Sequence, residues 1–230
     1  MLKANNLTMH YGNKQALNKL SFTVKPGEIF CLLGQNGAGK TTTINIFLGL
    51  LLPTSGEALV NGQSVISNKS IKQSIAYIPE VVELYANLSG LENLDFFSRL
   101  AGFVYTEKQL LNFLQRVNLQ QNACKNRLST YSKGMRQKVG IAIALAKNAS
   151  YIFMDEPTSG LDPKASVDFA NICKSLSING IGILMATHDI FNAVNIGSKI
   201  GIMREGALVY TTQTSKISAQ ELQDLYIKTI

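Results

Sequence analysis

Apolar positions along this chain follow two rhythms. Short unbroken runs occur at Ile29-Phe30-Cys31-Leu32-Leu33, at Tyr151 to Met154 and at Ile181 to Ala186. Runs of this length read as strands. Ala58-Leu59-Val60, closed by the turn signal Asn61-Gly62, and Ile75-Ala76-Tyr77-Ile78 read the same way. More short strand-like runs lie between Leu2 and Leu33, separated by Gly12-Asn13 and Lys25-Pro26-Gly27. Ile200 to Met203 and Ala207 to Tyr210 flank a tight turn at Gly206. The second rhythm is helical. Ser89-Gly90-Leu91-Glu92 and Thr106-Glu107-Lys108-Gln109 are capping boxes. Leu91, Leu94 and Phe97 follow the first at helical spacing, and Leu110, Phe113, Leu114 and Val117 follow the second. A third helix opens at Ser132 and runs through Val139 to Ala146. Residues 84–147 therefore read as a helical subdomain inserted into an α/β core. Asp162-Pro163 then forms the N-cap and first residue of a helix carrying Phe169, Ile172 and Leu176. Ser218 to Glu221 caps a short C-terminal helix over about 218–230.

Composition narrows the class. The 230 residues are 46% hydrophobic and 16% charged, enough for one sizeable core and too apolar for a disordered chain. Cys31, Cys124 and Cys173 are an odd number without a C-x-x-C pair, which argues against a disulfide framework or a zinc site. No apolar run reaches about 18 residues, and the opening lacks the apolar segment of a signal peptide, so a cytosolic protein is expected. The formal net charge is +7. Lys and Arg are scattered with no interleaved aromatics, so no nucleic acid is expected as a partner.

The chemistry begins after the run that ends at Leu33. Residues 34–42 read GQNGAGKTT, a fit to G-x-x-x-x-G-K-[ST] with Gly34, Gly39, Lys40 and Thr41 in the fixed places. Glycine permits backbone angles that let N–H groups of Gly34, Gln35, Asn36, Gly37, Ala38 and Gly39 close around phosphate. Lys40 supplies a point charge for terminal phosphates, and Thr41 a hydroxyl for Mg²⁺. Thr42 completes the loop. Ile44 to Leu52 is expected to form the following helix, ended by Pro53-Thr54-Ser55-Gly56. A second motif follows at Tyr151 to Met154, a strand that ends in Asp155-Glu156. Ligands collect at the carboxyl ends of such strands. Asp155 is placed to hold Mg²⁺, and Glu156 to polarise the water that attacks the γ-phosphate of ATP.

Taken in order along nearly the whole chain, these motifs resemble the ATP-binding subunits of ABC transporters. Tyr131-Ser132-Lys133-Gly134-Met135 is similar to that family's signature, in a variant form found among many bacterial exporters. The resemblance implies that Ser132 and Gly134 contact the γ-phosphate on a second ATP-binding subunit, and that Ser159 to Asp162 communicates across the pair. It further implies that His188 contacts the γ-phosphate, that Tyr11 stacks on adenine, and that Glu80, where glutamine is usual, senses Mg²⁺. Lys133, Arg136 and Lys138 crowd the positive end of their helix, where an incoming anion would relieve them. The implied fold is a P-loop NTPase core with an N-terminal antiparallel β part and the helical insertion. The implied function is ATP hydrolysis that drives a separate transmembrane permease of a bacterial exporter from the cytoplasmic face of the membrane. The alternative is a soluble member of the same family acting on DNA, ribosomes or iron–sulfur assembly.

Overall fold

The unbroken apolar runs fold into a sheet that is covered on both faces. The computed structural model describes residues 1–68 and 70–229. Its elements are β1 (Leu2–Tyr11), β2 (Lys14–Val24), β3 (Ile29–Leu33), α1 (Lys40–Phe47), β4 (Ser55–Val60), β5 (Gln63–Ser64), α2 (Ile71–Ser74) and β6 (Ile75–Ile78). They continue with α3 (Gly90–Leu100), α4 (Glu107–Arg116), α5 (Lys133–Ala146), β7 (Tyr151–Asp155), α6 (Pro163–Ile178) and β8 (Gly182–Thr187). The last are α7 (Ile190–Ile196), β9 (Lys199–Arg204), β10 (Ala207–Gln213) and α8 (Ala219–Thr229). One sheet has the order β10-β9-β3-β8-β7-β6, and every neighbour in it is parallel except β10 against β9. The other, β2-β1-β4-β5, is antiparallel throughout.

Strand periodicity sorts the apolar side chains into two cores. Cys31, Leu33, Ile152, Met154, Ile183 and Met185 point into one, which α3 to α7 cover. Phe30, Leu32, Phe153, Leu184 and Ala186 point into the other, against α1 and the antiparallel sheet. Both faces are dry, so these strands show no polar alternation. In the second core Phe22 meets Phe30 edge-on at 5.2 Å, and Phe47 stacks on Phe153 at 5.5 Å. Truncating such a ring to alanine costs ~3–5 kcal/mol.

Local chemistry sets the element ends. Asn61 and Gly62 both have positive φ and join β4 to β5, as a two-residue hairpin turn requires. Both expected capping boxes form, at Ser89–Glu92 and at Thr106–Gln109. Asp162 accepts from the Ala165 amide ahead of Pro163. The phosphate-loop helix differs from expectation. It begins at Lys40 and stops at Phe47, because Gly49 adopts φ 66° and closes the last turn well before Pro53. Leu50 and Leu52 therefore lie outside the helix and are exposed. The opening runs are two long strands, and β5, α2 and α7 are elements that apolar periodicity left unread. They are too short to show a period.

Helices α3 to α5 lie between β6 and β7 in the chain and are tied to the core by polar contacts. Within the insertion, the Tyr105 hydroxyl donates to the Ala146 carbonyl at 2.6 Å. Lys138 pairs with Asp168 of α6 and donates to the Asn118 carbonyl at 2.9 Å, while the Asn118 amide donates to Asp168 at 3.0 Å. Among the described residues no helix is long and apolar enough to cross a membrane.

Candidate functional site

The parallel strands β3, β7 and β8 deliver the polar side chains to one end of the sheet. β3 runs straight into the glycine-rich loop. There Gly37 has φ 86° and Gly39 φ 103°, angles that any Cβ would strain. The loop is braced from behind by the turn between β9 and β10, whose Gly206 amide donates to the Ala38 carbonyl at 3.1 Å. Gly34 packs beneath the loop, and an added Cβ there would lie 2.7 Å from the Met203 carbonyl oxygen.

Lys40 opens α1 and folds back over the loop. Its ammonium donates to the carbonyls of Gly34 at 2.6 Å and Gln35 at 3.3 Å, and lies 3.6 Å from Glu156 Oε1. The next residue, Thr41, donates its hydroxyl to Asp155 Oδ2 at 2.8 Å. Asp155 ends β7, and burial first of all pushes its carboxyl above the ordinary value. The Thr41 hydrogen bond and the charge of Lys40 oppose that rise, while the nearby carboxylates of Glu156 and Glu80 add to it.

Glu156 follows at φ 44°, an unusual angle for a residue with a side chain. Its amide donates to the Ala186 carbonyl at 2.9 Å, which pins it to the end of β8. His188 Nδ1 sits 2.9 Å from Glu156 Oε2, and the His188 amide donates to the same oxygen at 3.3 Å. Glu156 Oε1 is buried and accepts no hydrogen bond among the described residues. A carboxylate held between a lysine and a histidine, with one oxygen unengaged, is equipped to take a proton from water.

A cavity of about 550 Å³ opens over these groups. Of the expected residues, Tyr11, Gln35, Asn36, Gly37, Gly39, Lys40, Thr41, Thr42, Glu80, Asp155 and Glu156 line it. Tyr11 is 46% exposed at the end of β1, a free aromatic face beside the loop. Lys14 and Tyr77 line the cavity too and went unread, although both follow from their places. Lys14 comes just after the Gly12-Asn13 turn, and Tyr77 near the carboxyl end of β6. His188 lines a second cavity of about 490 Å³ together with Ser159, Gly160 and Leu161, and Glu156 is the wall between the two.

Ser132, Gly134 and Asp162 line neither cavity. Ser132 caps α5 by accepting from the Met135 amide at 3.3 Å. The cations after it are not the unrelieved cluster that sequence suggests. Lys138 is neutralised by Asp168, and Lys133 lies 3.9 Å from Glu80. Their long side chains reach partners on other elements. Only Arg136 keeps a buried nitrogen, Nε, without a hydrogen bond among the described residues.

The donor set suits Mg²⁺. A threonine hydroxyl, a buried carboxylate that ionises with difficulty and a second carboxylate converge beside a phosphate-type loop, and a divalent cation would ease the ionisation of Asp155.

Residues 17–159 match the sequence family described as ABC transporter. The chain is 38% identical over 196 residues to "ABC transporter A family member 1" of Dictyostelium discoideum, an alignment that spans 84% of this chain and 22% of that protein. It is 36% identical over 211 residues to the "Bacitracin transport ATP-binding protein BcrA" of Bacillus licheniformis, spanning 91% of this chain and 68% of the relative. A solved ATP-binding cassette, described as a dimer in a post-hydrolysis state bound to ADP and Pi, superposes with a TM-score of 0.81. It is 26% identical and covers 93% of this chain and 99% of that one.

Proposed function

The chain belongs to the ABC transporter family and is an ATP-binding, ATP-hydrolysing cassette of it, and we propose that its hydrolysis powers export through a separate membrane-spanning permease. Lys40 and the loop amides from Gly34 to Gly39 hold the triphosphate, with Tyr11 against adenine. Thr41 and Asp155 hold Mg²⁺, which when bound screens the phosphate charge. Glu156 takes the proton of the attacking water, and His188 orients Glu156 while meeting the γ-phosphate. Two copies close head to tail, so that Ser132 and Gly134 of each reach the phosphate held by the other, with Asp162 at the seam. The permease docks near the helical insertion, on the cytoplasmic face of the membrane.

One observation carries this reading. Lys40 and Glu156 line one open cavity and His188 meets Glu156 from the next, while Ser132, the cap of α5, and Gly134 in its first turn stand outside both. A transport role is supported by the bacitracin relative, and closure in pairs by the dimeric cassette.

The test is Glu156→Gln, which keeps the shape and removes the base. Removing a positioned general base costs ~10²–10⁴ in rate, or ~3–5 kcal/mol of barrier. The variant should bind Mg·ATP, turn over at that reduced rate and shift from monomer to dimer in analytical ultracentrifugation. Wild-type turnover, or a monomer at saturating Mg·ATP with the permease present, would overturn the reading. Co-purification with ribosomes or nucleic acid in place of a membrane protein would overturn the transport assignment.

A further inference from the structure

Glu80 lines the cavity beside Thr41 and Asp155, yet its contacts run to Ser159, Lys133 and Gln137. Its Oε1 accepts a hydrogen bond from the Ser159 hydroxyl at 2.8 Å. The Lys133 ammonium lies 3.9 Å from the same oxygen. The Gln137 amide nitrogen donates to the carbonyls of Pro79 at 3.3 Å and Glu80 at 3.1 Å. Lys133 and Gln137 are four residues apart on α5 and so share a face. One takes the carboxylate of residue 80 and the other its backbone. Gln137 is 1% exposed, and its Oε1 has no partner among the described residues, so that side chain is committed to this backbone contact.

Ser159 carries the grip onward. Its amide donates to the Glu156 carbonyl at 3.1 Å, which closes the turn that leaves β7. The route from α5 thus runs through Glu80 to Ser159 and into the backbone of the residue that sits at φ 44°. A residue held at such an angle is fixed by its neighbours.

We propose that Glu80 is a positioning residue for the turn that carries Glu156, with Lys133 as its counter-charge and Gln137 as its backbone anchor. The clasp makes the segment after β6, the turn after β7 and the first turn of α5 move together. A glutamate suits this arrangement better than glutamine, because lysine at position 133 offers it a cation. The inference rests on the ATPase reading for its consequence and on these contacts for its existence.

Two measurements test it. The first is thermal unfolding of nucleotide-free wild type, Glu80→Ala, Ser159→Ala and the double variant. For a shared contact the double variant loses less than the two singles combined, by about 1–3 °C. Additive losses would overturn the clasp. The second is steady-state ATPase against ATP and against Mg²⁺. Glu80→Ala and Ser159→Ala should each lower kcat by about tenfold, with the KM for ATP and the Mg²⁺ midpoint within about twofold of wild type. Glu80→Gln, whose amide oxygen still accepts from Ser159, should lose only about threefold. The exchange Glu80→Lys with Lys133→Glu should recover more than half of what Lys133→Glu loses. A Mg²⁺ midpoint moved by about tenfold or more, with full kcat at saturating Mg²⁺, would make Glu80 a metal ligand and overturn the proposal. So would a charge exchange no better than its single changes. A wild-type protein without ATPase activity would sink the function proposed above, while the unfolding cycle still decides the clasp.

Discussion

Three glycines of the phosphate loop separate backbone strain from steric contact. Gly37 has φ 86° but open space where a Cβ would stand. Gly34 carries no such angle, yet its Cβ would meet the Met203 carbonyl oxygen at 2.7 Å and Ala38 Cβ at 2.9 Å. Gly39 combines both, at φ 103° with the Ala16 carbonyl oxygen and Leu17 Cδ2 each 2.7 Å from the added atom. A left-handed angle costs a side chain ~1–2 kcal/mol. Forcing a methyl against rigid neighbours costs ~1–3 kcal/mol, and the carbonyl oxygens here cannot swing aside. Gly→Ala also stiffens the unfolded chain, which returns ~0.4–1 kcal/mol equally at all three sites. The order of loss is therefore Gly39→Ala well above Gly34→Ala and Gly37→Ala, with roughly 2–5 kcal/mol before that return at position 39. For a chain of this size each kcal/mol moves the melting temperature by ~2–4 °C. Differential scanning calorimetry of the unliganded proteins reads the order. A Gly37→Ala variant that loses as much as Gly39→Ala would show that strain alone governs the loop and refute the contact argument.

Other outcomes follow from single contacts. Lys40→Met removes the cation beside the loop carbonyls, and a fluorescent ATP analogue should bind roughly 10–150-fold more weakly; unchanged affinity would remove Lys40 from the phosphate site. Asp168 is opposed first by burial, yet the hydrogen bonds from Lys138 and Asn118 and the charges of Lys138 and Lys164 outweigh it and hold the carboxyl below its ordinary 3.8. Its contribution is therefore complete above that pH and fades as acid carries the protein through the lowered value. Asp168→Asn should lower the melting temperature by ~2–6 °C at pH 7, with the gap narrowing below about pH 4, and a gap that widens in acid would contradict the linkage. Burial pushes the Cys31 thiol up to about 12 and raises Cys173 further. Iodoacetamide at pH 8 should leave both unmodified in the native protein and label them in denaturant.

Sequence legibility followed chemistry with a short reach. The loop at 34–42, the strand-end pair Asp155-Glu156 and the caps at Ser89, Thr106 and Asp162 all depend on residues within a few positions of one another. Their spacing therefore carries their meaning. The buried strands were readable because both faces are apolar. Contacts between distant segments were not. Nothing in the sequence pairs Lys138 with Asp168, Ser159 with Glu80, or the Gly206 turn with Ala38. The crowding of cations after Ser132 misled for the same reason, since their partners come from other elements. Helix α1 was placed too far along the chain because apolar residues continue past Gly49, where the backbone leaves the helical region.

The arrangement of Lys40, Glu156 and His188 bears on control of hydrolysis. Glu156 lies between Lys40, 3.6 Å from its Oε1, and His188, 2.9 Å from its Oε2. Terminal phosphates arriving on the loop would compete for Lys40, which is already within reach of two loop carbonyls. Drawing Lys40 toward phosphate would leave Glu156 with His188 alone as substrate arrives. Oε1, which accepts no hydrogen bond among the described residues, is the oxygen that faces Lys40, so it is the atom that substrate would free. A γ-phosphate contact by His188 would release that partner as well. Glu156 would then be free of both neighbours only when the loop and the histidine engage the same triphosphate, which would tie proton abstraction to complete assembly of the site.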